Sequence, residues 1–88
     1  PLTSLSLELA ICCILSILLN GESYGTELIK IIESEYPDYQ ITDTKLYTAI
    51  KFLEDEKALA GYWKQLDNRS RPRKMYLIAA EKQEYAKD

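Results

Sequence analysis

Five basic side chains crowd the segment from Lys64 to Lys74: Lys64, Arg69, Arg71, Arg73 and Lys74, with Asp67 as the one acid among them. The segment carries +4, while the six other bases and thirteen other acids leave the rest of the chain at −7 and the whole at −3. A basic stretch on an acidic body steers a polyanion to one face. Arginine suits phosphate because its planar fork bonds two oxygens at once. The chemistry on offer is therefore anion binding. Two considerations stand against it: a solvated turn would collect the same residues, and a pI near 5.0 argues on its own against a nucleic-acid partner.

Bond-making chemistry finds few candidates. The 88 residues hold no histidine, so Ser-His-Asp and Cys-His catalysis lack their base and most zinc sites lack a ligand. Cys12 and Cys13 are neighbours, unsuited to an ordinary structural disulfide, and two thiols do not fill a tetrahedral zinc site. They are expected to be two buried thiols acting as small hydrophobes in a reducing compartment. Glu54, Asp55 and Glu56 are consecutive and splay around a helix, and Glu33 and Glu35 also point apart. No phosphate-binding glycine loop and no EF-hand pattern occurs. The expectation is a protein that is not an enzyme and needs neither metal nor cofactor.

Four segments must position the basic stretch. Leu5 to Leu19 is apolar nearly all round and ends at Asn20-Gly21, which predicts a helix buried on every side: the centre of the fold or half of a dimer contact. Its charge-free part, Leu9 to Leu19, is too short to span a bilayer, and Asn20-Gly21-Glu22 is a poor signal-cleavage site. No membrane partner is expected, and the cytoplasm is the expected location. A second helix is predicted from about Ser23, as N-cap, to Tyr36, with Leu28, Ile31 and Ile32 as its stripe and Pro37 as its stop. A third runs from about Thr42 to Lys57, capped by Thr42 or Asp43. It has Leu46, Ala49, Ile50 and Leu53 on one side and Thr44, Thr48, Lys51 and Asp55 on the other. The period then changes. Ala60 to Lys64 and Lys74 to Ile78 read as strands around the turn-forming cluster Asp67 to Pro72, giving a hairpin with a basic tip. Ala79 to Asp88 has the composition of a helical stub. The chain begins at Pro1 rather than Met, as a trimmed chain would.

The whole, residues 1–88, is expected to be a single domain, as the length implies. It is mainly α with a β-hairpin (α+β): three helices, a two-stranded wing and a C-terminal helical stub. That order is the layout of a winged helix-turn-helix, in which the third helix presents its outer face to the DNA major groove. The hairpin touches the phosphate backbone beside it.

Three runs carry a resemblance to a known family. Leu7 to Ile11 followed by Gly21-Glu22-Ser23-Tyr24-Gly25-Thr26-Glu27-Leu28-Ile29 resembles the start of the PadR-like transcriptional regulators. Thr42-Asp43-Thr44-Lys45-Leu46-Tyr47-Thr48-Ala49-Ile50-Lys51-Phe52-Leu53-Glu54 is similar to their recognition helix, and Arg71-Pro72-Arg73-Lys74-Met75-Tyr76 to their wing-return strand. The Glu-Tyr-Pro-Asp-Tyr and Asp-Thr-Lys-Leu-Tyr wording is similar to the small cyanobacterial branch of that family, the branch that includes a circadian period extender.

The resemblance implies a winged-helix fold, double-stranded operator DNA as partner, a homodimer and a repressor role. It places Thr44, Lys45 and Thr48 in the groove, with Thr42, Tyr47 and Lys51 on the same helix. Lys64, Arg69, Arg71, Arg73 and Lys74 fall on the wing and phosphate backbone, and Tyr24 and Gly25 at the second-helix start, where backbone N–H groups can bond phosphate. Tyr47 is expected to be partly buried, showing its hydroxyl, and Trp63 to be core filler. Two departures matter. Asp43-Thr44-Lys45 replaces the family's usual Ser-Pro-Gly or Ser-Pro-Ser, which points to a different operator. Ile78-Ala79-Ala80-Glu81-Lys82 lacks the usual threonine cap and glycine. The larger members' dimerisation helices are missing, so the first helix, the tail or residues outside this chain must supply dimer contacts. Such regulators also bind small aromatic effectors between dimer halves, but no pocket signature supports one here. The competing reading is a winged-helix protein–protein interaction module without DNA binding.

Overall fold

The computed structural model describes residues 2–65 and 71–79. Arg69, most of the hairpin tip and the expected C-terminal stub lie outside those residues.

Helix α1, Leu7–Leu18, starts where Ser6 leaves the helical conformation and its hydroxyl accepts from the Leu9 N–H at 3.2 Å. Ala10, Ile14 and Leu18, at i, i+4 and i+8, are its buried line. The opposite side is open: Leu9 is 47% exposed, and Cys12 and Ser16 are exposed. Within one copy of the chain the helix is therefore not buried all round as the centre of the fold, because no described element covers that side; the alternative of a dimer contact stays open. The thiols are likewise not both buried: Cys12 is exposed and Cys13 half-buried. Burial pushes the Cys13 thiol upward, with Cys12 and Glu35 adding to it, the opposite of an activated thiolate.

Helix α2, Gly25–Glu35, begins one residue later than the sequence suggests, with Tyr24 rather than Ser23 as N-cap. Ser23–Tyr24 instead forms a short strand, numbered β2 below. Ser23 is almost fully buried, and its hydroxyl donates to the Glu27 carboxylate at 2.6 Å rather than capping the helix. The N-cap residue, Tyr24, makes no side-chain capping bond, so the first-turn N–H groups have no side-chain cap.

Helix α3, Asp43–Asp55, matches its reading closely. The Thr42 hydroxyl accepts from the Lys45 N–H at 3.2 Å, and Leu46, Ala49, Ile50 and Leu53 are all buried. It ends two residues early. Lys57 adopts the left-handed conformation at φ 61°, its N–H bonds the Glu54 carbonyl, and the Ala58 N–H bonds the Leu53 carbonyl at 2.8 Å. This Schellman closure turns the chain directly into the hairpin.

Strand β1, Thr3–Ser4, pairs parallel with β3, Tyr39–Gln40. Strands β4, Leu59–Lys64, and β5, Arg73–Ile78, pair antiparallel. The strand β2 joins the far edge of β5, giving the order β2-β5-β4. The expected two-stranded wing is thus the larger part of a three-stranded sheet. The core gathers Leu5, Ile14, Leu28, Ile32, Leu46, Ile50, Leu59 and Ile78 from every layer. Among the described residues no helix is long and apolar enough to cross a membrane.

Candidate nucleic-acid interface

The outer face of α3 is as polar as its sequence implies. Thr44 and Thr48 are exposed, and the Thr48 hydroxyl donates to the Thr44 carbonyl at 2.7 Å. That bond fixes the Thr48 rotamer, leaving its oxygen as an acceptor and its methyl for apolar contact. Lys51 is exposed and paired with Asp55 at 3.5 Å, an i,i+4 pair of little strength in water. Lys45 is half-buried and reaches back to the Ser4 hydroxyl at 3.4 Å. Thr42 is occupied as the N-cap.

Tyr47 turns toward the start of α2. It is 48% exposed, and a Cβ on Gly25 would collide with its hydroxyl. Tyr47 is thus more exposed than expected, and its hydroxyl, expected to show, is the end that packs against the Gly25 backbone. Gly25 matters here because only a residue without a side chain admits the phenol so close to the helix backbone.

The basic hairpin residues divide by partner. Arg73 stacks its guanidinium 4.1 Å from the centre of the Tyr24 ring. Lys74 pairs with Glu54 of α3 at 3.9 Å and lies 5.9 Å from the ring centres of both Trp63 and Tyr76. Gly61 makes room for this, since a Cβ there would come within 2.7 Å of the Lys74 stem. Lys64 bonds Glu22 at 3.4 Å. Arg71 is exposed and has no ion-pair partner among the described residues. Lys64 and Lys74 thus tie the hairpin to the body before any ligand arrives.

Glu22 also accepts from the Tyr62 hydroxyl at 2.6 Å. That bond, helped by Lys64, holds the Glu22 carboxyl below its ordinary 4.5, and Glu22 holds the Tyr62 phenol above its ordinary 10.0. A lowered carboxyl stabilises the fold above pH 4.5, and this contribution fades as pH falls through the folded value. A raised phenol stabilises it below pH 10.0, and this fades as pH rises through the folded value. Glu22→Gln is expected to lower the melting temperature most in the interval between those two ordinary values. The gap to the parent closes at both ends, as melts recorded across pH would show. A gap independent of pH would contradict the assignment.

Tyr24, Gly25, Tyr47, Arg73 and Lys74 come together with Thr26, Lys30, Trp63, Pro72 and Tyr76 around one cleft of about 480 Å³. Three cations line it and no carboxylate does. Thr44, Thr48 and Lys51 belong to the exposed α3 surface outside this lining, whereas Lys64 and Lys45 are drawn to other partners. The sequence reading missed Thr26 and Lys30, whose i,i+4 spacing puts them on one side of α2. It also misjudged Trp63, which is 68% exposed. The outer half of β4 extends past the core, and the register sets Trp63 opposite Lys74. Among the described residues no group of three His, Cys, Asp or Glu side chains could hold a metal ion.

Comparison with known proteins matches the signature of the transcriptional regulator PadR-like family to residues 14–87. The circadian clock associated protein Pex from Anabaena is similar at 58% identity and TM-score 0.92, over 100% of this chain and 76% of that one. Pex from Synechococcus is similar at 49% identity and TM-score 0.90, over 100% of this chain and 79% of its own. PadR from Bacillus subtilis, solved in complex with operator DNA, has the same fold at 20% identity and TM-score 0.76, over 91% of this chain and 45% of that one. A search among curated proteins gave no match.

Proposed function

The chain belongs to the transcriptional regulator PadR-like family, and from that premise we propose a sequence-specific regulator that binds double-stranded DNA as a homodimer and represses the promoter it covers. Residues 1–88 act in this reading as one winged-helix DNA-binding domain in the cytoplasm. The observation that carries it is the cleft between α2, Tyr47 and the hairpin: three cations and no carboxylate, on a chain whose net charge is −3. Such segregation suits the binding of a polyanion.

Helix α3 enters the major groove. Thr44 and Thr48 offer hydroxyl oxygens and methyls to base edges, thymine methyls included, and Tyr47 flanks them. Thr42 and Lys45 sit at the helix start, close to the backbone. Arg69, Arg71 and Arg73 bond phosphates across the adjoining groove, and Lys51 trades its exposed aspartate for one. Lys64 joins by the same exchange, since exposed ion pairs are worth little in water, and Lys74 by giving up its half-buried partner Glu54. The Tyr47 phenol covers Gly25, so the first-turn N–H groups after it, without a side-chain cap, are the ones that offer phosphate the positive end of α2.

The second copy of the chain covers the open side of α1. Apolar grooves of about 300 and 440 Å³ flank this side, and both are lined in part by Cys12. Leu9 and Phe52, 47% and 48% exposed, stand beside them. Selection of tight-binding duplexes from a random pool tests the reading. It should enrich a pseudo-palindrome whose half-sites lie one helical turn or a multiple apart. Enrichment of no sequence, or of a single unrepeated half-site, would contradict the dimeric operator reader.

A further inference from the structure

We propose that the aromatic cleft seats one deoxyribose of the DNA strand running between the grooves, with Trp63 as a contact that does not depend on salt. This rests on the DNA-binding reading above and adds an apolar component to it.

The register pairs Gly61 with Tyr76 and Trp63 with Lys74, so these four share one side of the hairpin. Tyr24 and Tyr47 complete the aromatic lining. Trp63 is the chain's single tryptophan and is 68% exposed, which leaves a large apolar surface in water. Its indole N–H has no hydrogen-bond partner among the described residues.

A duplex keeps its bases stacked inside. What its strand offers sideways is an apolar sugar flanked by two anionic phosphates. The cleft is the complement: the exposed Trp63 and Tyr47 rings for the sugar, with Lys30, Arg73 and Lys74 and the indole N–H for the phosphate oxygens. A protein partner of the same polarity would need acidic groups flanking an apolar residue, and that reading is an outcome of the test.

The test uses the chain itself, titrated with random-sequence duplexes. DNA anisotropy and tryptophan emission are followed together, with Trp63→Ala and Trp63→Phe beside the parent. Emission is expected to change along the same curve as anisotropy. Trp63→Ala is expected to weaken binding about tenfold on every duplex, leaving the salt slope and the melting temperature unchanged, while Trp63→Phe keeps most of the affinity. Constant emission during binding, or parent-like affinity of Trp63→Ala, would overturn the sugar seat while leaving DNA binding intact. A loss confined to particular sequences would mean a base contact and also overturn it. Absence of binding by the parent would remove the DNA reading itself, and the cleft would then fit an acidic protein segment.

Discussion

Replacing Arg69, Arg71 and Arg73 together by alanine is expected to lower affinity for duplex DNA on the order of a hundredfold, on every sequence alike. Each phosphate that loses its cation removes about 0.9 from the slope of log affinity against log salt, so three lost contacts flatten the slope by about 2.7. The fold should survive with a slightly lowered melt, because Arg71 is exposed while the half-buried Arg73 gives up its stack on Tyr24. The three positions differ in one respect. Arg73 also stacks on Tyr24, 4.1 Å from the ring centre, so its loss frees a ring that lines the cleft. Arg71 has no such partner among the described residues. Arg71→Ala alone should therefore weaken binding modestly and flatten the slope by about 0.9, with the melt unchanged. Anisotropy titrations at several salt concentrations read both quantities. A loss of affinity with an unchanged slope would show that the arginines act on the fold of the hairpin and not on phosphate.

Leu46→Ala should cost about 3 kcal/mol, out of the roughly 5–15 kcal/mol that holds a domain of this kind together. Leu46 is wholly buried, and on α3 it stands with Ala49, Ile50 and Leu53 on the side opposite Thr44 and Thr48. Its removal leaves a cavity where α3 packs on the rest of the core, and the melting temperature should fall by more than about 10 °C. Below that melt the outer face of α3 is untouched, and DNA affinity should remain close to that of the parent. Thr48→Ala is the converse. It leaves the melt nearly unchanged, because Thr48 is exposed and its hydroxyl bonds only its own helix. Calorimetry and anisotropy on both variants separate the two faces. A drop below about 1 kcal/mol for Leu46→Ala would mean that α3 is not seated on the core in this way.

The three helices and the hairpin were legible for a physical reason. Leu46, Ala49, Ile50 and Leu53 repeat with the helical period, and all four are buried. The change to a strand period after Leu59 marks where the pairing of β4 with β5 begins. The strands β1, β2 and β3 were not legible. Each is two residues long, too short to carry a period, and each exists only because distant backbone lies beside it. The same holds for the site. Its residue types can be read along the chain, but the partners cannot. Glu22 and Lys64 are 42 positions apart, and nothing local indicates that one restrains the other. The exposure of Trp63 follows from the register and from the reach of β4 past the core, and the inward-turned hydroxyl of Tyr47 from the bare backbone at Gly25. The apolar circumference of α1 did not show which side the chain itself covers, because composition does not say which side has a neighbour.

The central claim is that an acidic chain binds duplex DNA through a segregated basic face. Fluorescence anisotropy of the unmodified chain on random duplex DNA, at about 50 and 200 mM salt, tests it most directly. The account predicts binding at the lower concentration and a steep loss at the higher. Equal affinity at both, or no binding at the lower, would contradict it.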